Sequence, residues 1–213
     1  MLFLTVMIVT IAFNRLATLF LLGLVLSLSG CSEPKLTPLY YDATILAFGD
    51  SLTAGYGVEK EHSYPAVLAE LSRRKVVNAG VSGETTSQGR ERFASVVQTN
   101  QPDLIILIEG GNDILRNHSP QQAKANLAAM IEHAQLSGIP VVLIGVPEKN
   151  LFSSSAPFYR ELAEEYDLVF DGELMAELQR SPSLKSDYVH FNKAGYRELA
   201  ESIYQLLQDN GAL

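Results

Sequence analysis

The sequence predicts one α/β domain in which helices cover both faces of a mainly parallel, five-stranded sheet, a three-layer α/β/α sandwich. Three observations carry this. Short apolar runs alternate with helix-length segments, the pattern of successive βαβ units. The runs are continuously apolar, as in D-L-I-I-L-I (103–108), so both faces of each strand are covered. A chain of 213 residues, 47% hydrophobic, is long enough to bury one sizeable core.

The elements follow in order. Residues 44–48 form a first strand, and 64–74 a helix with Pro65 in its first turn, where proline costs no backbone donor. A short strand over 75–78 is followed by a helix over 87–98 and a buried strand over 103–108. Ser119-Pro120 marks an N-cap with proline at the first helical position; that helix runs to about Leu136 and ends at Gly138. A fourth strand spans 139–146, a helix 158–166 and a fifth strand 168–170. In the last helix, 193–208, Leu199, Ile203, Leu206 and Leu207 form one apolar stripe that faces a core. Ligands in such folds bind beyond the carboxyl ends of the strands. The loops expected there are 49–57, 79–86, 110–117 and 147–157, the polar and glycine-rich ones.

The first thirty residues are set apart from the fold. Arg15 is their only charged residue, and a nearly all-apolar run over 16–28 leads into L-S-G-C (28–31). A positive charge, an apolar run and small residues make a secretory signal. The ending resembles the lipobox of bacterial lipoproteins, which implies cleavage before Cys31, acylation of that cysteine, and, with Ser32 next, sorting to the outer membrane. The competing reading is an uncleaved membrane anchor, because the span exceeds the roughly 20 residues that cross a bilayer. The domain boundaries read as 1–30 signal peptide, 31–42 lipidated cysteine and tether with Pro34 and Pro38, and 43–213 folded domain. One cysteine permits no internal disulfide. A formal charge of −8 without a basic run of the phosphate-neutralising kind argues against nucleic acid as partner.

Ser51 stands at the tip of I-L-A-F-G-D-S-L-T-A-G-Y-G (45–57), just after the first strand. That stretch reads either as a strand-to-helix turn with a capping Asp or Ser, or as a nucleophile raised at the carboxyl edge of the sheet. A hydroxyl needs a base to take its proton. His190 is the candidate, since Asp187 lies three residues before it, where one turn can aim a carboxylate at a ring N–H. Gly83 can bring a bare backbone N–H near a ligand and Asn112 can offer a side-chain amide. With the Ser51 N–H they make three donors for a developing oxyanion. Taken singly, each of these residues also fits an ordinary turn.

Four blocks together, G-D-S-L-T (49–53), the glycine of V-S-G-E-T (81–85), G-G-N-D (110–113) and D-Y-V-H (187–190), resemble the SGNH, or GDSL, hydrolase superfamily. The closest likeness is to its bacterial arylesterase and thioesterase/lysophospholipase members. The resemblance implies a flavodoxin-like fold, with Ser51 as nucleophile, His190 as base, Asp187 as its orienter, and Gly83 and Asn112 as oxyanion donors. It implies a small-molecule acyl ester as substrate, without metal or cofactor; the lipobox places the domain in the bacterial envelope, and a monomer is expected although the sequence does not fix the oligomeric state. Tyr188 and Phe191 stand where the family often has glycine and proline, and this bulkier pair is expected to narrow or line the acyl site. Asp113 is expected to hold its loop by hydrogen bonds. Arg116 reads as a surface arginine or as a contact for an anionic group. Leu151 and Phe152 read as a wall for the acyl chain or as plain surface.

Rival chemistries lack their patterns. There is no G-x-S-x-G elbow, no G-x-x-x-x-G-K-[ST] loop and no His/carboxylate cluster at metal-ligand spacing. The alternative from another class is a non-catalytic envelope lipoprotein that binds acylated glycans or lipids. Such a binder would bind without turnover and would be indifferent to Ser51→Ala.

Overall fold

The computed structural model describes residues 35–149 and 154–213. The expectations that fall on Cys31, the signal segment, Leu151 and Phe152 lie outside these residues. Five strands form one parallel sheet in the order β2-β1-β3-β4-β5, with β1 Thr44–Gly49, β2 Lys75–Gly80, β3 Leu104–Ile108, β4 Val141–Ile144 and β5 Val169–Asp171. In register, Phe48 of β1 lies between Ala79 of β2 and Leu107 of β3. Every residue of β1, β3 and β4 is buried, whereas the edge strand β2 is only half-covered. The continuous apolar runs thus mark the central strands, where both faces meet helices.

Eight α-helices and two short 3₁₀ helices, Lys60–His62 and Pro182–Leu184, complete the described chain; the α-helices are α1 Ser51–Ala54, α2 Tyr64–Ser72, α3 Thr86–Asn100, α4 Gly111–Leu115, α5 Pro120–Leu136, α6 Pro157–Glu165, α7 Leu174–Arg180 and α8 Lys193–Asp209. The strand order reverses at β1, so right-handed crossovers put α2 on one face and α3, α5 and α6 on the other. The packing agrees: α2 lies against α8, and α3 against α5. Leu199, Ile203 and Leu207 of α8 are buried, while Leu206 at the stripe's margin is half-covered. Ser119 caps α5, accepting from the Gln122 N–H, and Gly138 behind that helix takes the left-handed φ of 72°.

Three α-helices go beyond the sequence expectation. α1 and α4 are one-turn pieces inside segments read as loops, too short to show a period, and α7 is a two-turn helix after β5. The amino-terminal boundary also moves. Leu36 is buried, its N–H donates to the Asn210 carbonyl at 3.0 Å, and the Leu39 N–H donates to Ala212 at 2.8 Å. Residues 36–42 therefore belong to the packed domain and not to a free spacer. A proline-bracketed polar stretch gives no sign of that, because its partners lie at the far end of the chain.

Candidate active site

The reversal of strand order opens a crevice at the carboxyl ends of β1 and β3. Ser51 follows β1 as the first residue of α1. Asp50 caps that helix, its Oδ1 accepting the Leu52 N–H at 3.0 Å, and Gly55 ends it in the left-handed region at φ 82°. The turn reading and the presented-serine reading of this stretch therefore coexist. Gly80, at the end of β2, lets α1 sit on the sheet, for a Cβ there would stand 2.1 Å from the Ala54 nitrogen.

His190 arrives from the loop before α8. Its Nε2 lies 3.0 Å from Ser51 Oγ, and its Nδ1 lies 2.8 Å from Asp187 Oδ2. The other Asp187 oxygen accepts the backbone N–H groups of Val189 and His190 at 2.8 and 2.7 Å, so a single tight turn sets both carboxylate and ring. Burial by itself would raise the Asp187 carboxyl. The N–H groups of His190, backbone and ring, and of Val189 outweigh it and hold the group at about 2. An ionised Asp187 only accepts, so Nδ1 carries the imidazole proton and Nε2 faces the serine with its lone pair. Ser51 is only 8% exposed, and the Tyr56 ring packs against the imidazole at 4.4 Å between centroids. Tyr56 went unnoticed in the sequence, where an aromatic between two glycines gives no chemical signal.

Gly83 and Asn112 reach the same cleft from the loops after β2 and β3, and the cleft, about 1370 Å³ in volume, is lined by both together with Ser51 and His190. Gly83 has φ 80°, a conformation that favours glycine. Its carbonyl accepts from Arg116 Nη2 at 2.9 Å, so Arg116 ties α4 to the glycine loop. The Asn112 amide rests 3.4 Å from Asp50 Oδ2. Asp113 turns away from the cleft and accepts from the Thr86 N–H and hydroxyl, both at 2.8 Å, which pins α4 to the start of α3 as expected. Of the two bulky departures, Tyr188 lies on the cleft rim, 75% exposed, with Lys185 over its ring. Phe191 does not line the site. It is fully buried edge-on against Tyr196, because α8 needs an apolar contact at its entry.

Beneath the cleft lies a buried acidic layer that sequence reading missed. Burial lifts Asp50 from its ordinary 3.8 to about 6, with the Leu52 N–H and His190 pulling it down and Glu84 and Asp113 pushing it up. Glu109 at the end of β3 is buried, neither carboxyl oxygen has a hydrogen-bond partner, and burial holds it well above the usual range. Glu84 is neutralised by Arg92, whose guanidinium also lies over the Phe48 ring at 4.0 Å. Against the sequence expectation of no His/carboxylate cluster, the described residues contain one with metal-ligand geometry, Glu59, Glu61 and His62, which the fold of this loop brings together and which does not line the cleft.

A serine whose hydroxyl meets an imidazole braced by a carboxylate, beside a glycine loop and an amide, is the constellation of a serine hydrolase on a doubly wound sheet. The chain belongs to the GDSL-like lipase/acylhydrolase family, whose model matches residues 47–198. Over 173 residues it is 30% identical to a protein of Escherichia coli strain K12 called thioesterase 1/protease 1/lysophospholipase L1, covering 78% of this chain and 83% of that one. Among solved structures, the crystal structure of TesA superposes with a TM-score of 0.70 at 26% identity, over 78% of this chain and 99% of that one. AlinE4, an SGNH-hydrolase family esterase, superposes at 0.64 with 34% identity, over 80% and 97%.

Proposed function

We propose that the protein hydrolyses carboxylic esters through an acyl-enzyme on Ser51. The observation that carries this reading is the relay Ser51 Oγ–His190 Nε2–Asp187, at 3.0 and 2.8 Å. Ser51 Oγ attacks the acyl carbon while its proton passes to His190 Nε2, and Asp187 stabilises the imidazolium that forms. The carbonyl oxygen becomes negative and takes hydrogen bonds from the N–H groups of Ser51 and Gly83 and from the Asn112 amide. Collapse breaks the ester bond; the leaving alcohol takes the proton from His190, and water then repeats the sequence on the acyl-serine. Thioesters and lysophospholipids belong to the same proposal, by likeness to the E. coli thioesterase 1/protease 1/lysophospholipase L1.

Leu151 and Phe152 are assigned to the acyl-chain wall of the cleft, which Val146 and Pro147 line just before them. Acylation of Cys31 and anchoring in the periplasm, at the outer membrane, follow from L-S-G-C and Ser32 in the sequence. Among the described residues, no helix is long and apolar enough to cross a membrane. The test is a fluorophosphonate probe on the chain from Ser32 onward, with the adduct located by peptide mass spectrometry. Stoichiometric label at Ser51, absent in His190→Ala, is expected. A folded protein that takes no label would refute the reading.

A further inference from the structure

Residues 36–42 join the domain at the edge of the sheet opposite the cleft. Asn210 and Ala212, which accept from Leu36 and Leu39, follow the end of α8. That helix starts beside His190 and runs 17 residues away from the cleft, about 25 Å. Tyr40 and Tyr41, in the turn before β1, are 80% and 83% exposed. Three consecutive cations, Arg73, Arg74 and Lys75, join the end of α2 to the first residue of β2 at this same edge, a short basic run that the sequence expectation of none passed over, with Arg73 and Lys75 exposed. Arg74 Nη2 donates to the Leu39 carbonyl at 3.1 Å, so the basic run and the tyrosines share one surface. Of the acids there, Asp103 is occupied by the Thr44 N–H, Asp167 by Lys35 and the exposed Asp209 by the Gln205 amide, while Asp42 is exposed. In a chain of net charge −8, three adjacent cations run against the overall sign.

We propose that this edge is the face the domain sets on the bilayer that holds Cys31, so that the cleft opens away from that bilayer into water. The inference rests on the lipid anchor proposed above. Tyr40 and Tyr41 lie at headgroup level, and residues 73–75 meet anionic phospholipid, the chemistry that exposed tyrosine and basic side chains suit at a membrane surface. The chain from Cys31 to Leu36 spans at most about 18 Å when fully extended. That is shorter than the distance from the anchored edge to the cleft. While Leu36 stays packed, the cleft cannot turn onto its own bilayer. The substrates are therefore acyl esters that arrive from the aqueous side, and phospholipid of the anchoring membrane is not among them.

The experiment reconstitutes the acylated full protein in vesicles of phosphatidylethanolamine and phosphatidylglycerol, after mass spectrometry of the Cys31 peptide. An environment-sensitive thiol dye is placed in Tyr41→Cys or, separately, in Tyr188→Cys. The dye at 41 is expected to shift to the blue and lose emission to brominated lipid, and the dye at 188 to do neither. Loss at 188, or at neither position, overturns the orientation whatever the enzyme's activity. In parallel, a soluble p-nitrophenyl ester and a fluorogenic ester lipid in the same vesicle are compared as substrates. A flexible Gly-Ser insert after Ser32 of about thirty residues, on the order of 30 Å in r.m.s. span, is expected to switch on hydrolysis of the same-vesicle ester. It should leave the soluble ester unchanged. Equal same-vesicle rates with and without the insert overturn the inference. An unacylated Cys31 overturns the anchor and the inference together, whereas an acylated, correctly oriented protein idle on the soluble ester overturns only the esterase reading.

Discussion

Replacing Asp50 with asparagine tests how the serine loop carries a buried charge. Asp50 is pushed up from 3.8 to about 6, and it is buried. Between those two values the folded state holds a proton that the unfolded chain has released, so stability falls as pH rises through this window. Above it the loss is complete, about 3 kcal/mol for a shift of this size. An asparagine cannot ionise and escapes that loss. Its carbonyl can still accept the Leu52 N–H, but its NH2 then faces the Asn112 amide, and the 3.4 Å contact there is lost. One such bond is worth about 1 kcal/mol. The variant is therefore expected to be more stable than the parent by about 2 kcal/mol near pH 8, and less stable by about 1 kcal/mol near pH 3. Urea unfolding followed by circular dichroism measures this, since the chain has no tryptophan to report by fluorescence. A stability difference that does not change between those two pH values would refute the reasoning.

Four further outcomes are expected. Asn112→Ala should lower kcat about 10²–10³-fold with KM nearly unchanged; a rise in KM alone would remove Asn112 from the oxyanion donors. Asp187, held at about 2, stays ionised through any mildly acidic loss of activity. Asp187→Asn should therefore cut kcat by about 10³-fold or more by leaving the wrong imidazole tautomer, and steady-state kinetics with unchanged kcat would contradict that role. Gly80→Ala drives a Cβ against the Ala54 nitrogen and Thr53 carbonyl carbon, at 2.1 and 2.6 Å. It should cost about 3 kcal/mol in urea unfolding and lift α1 with its serine off β2, so wild-type stability would argue against that packing. Serine at both Leu151 and Phe152 should lower turnover of long-chain p-nitrophenyl esters more than short-chain ones, and an equal drop would discard the acyl wall.

What the sequence determined by itself was whatever is local. Continuous apolar runs identified β1, β3 and β4, since burial on both faces leaves a mark in every residue of the strand. Asp187 and His190 were legible as a pair because three residues of tight turn are enough to join a carboxylate to a ring nitrogen. Gly83 and Asn112 could be named as possible oxyanion donors from their chemistry, but each alone also fits a turn, and only the family's four blocks set them and Asp113 apart from ordinary loop residues. Only the tertiary structure decided contacts between segments far apart in the chain. It joined His190 to Ser51 across 139 positions, turned Phe191 into the core instead of the cleft, and set Tyr56 on the imidazole. It also buried Glu109 and Asp50 in one acidic layer and packed Leu36 against the far end of α8. Burial and charge environment belong to the packed sheet and not to any stretch of it. No periodicity or spacing encodes which side of a loop residue will face solvent once the strand order has reversed at β1.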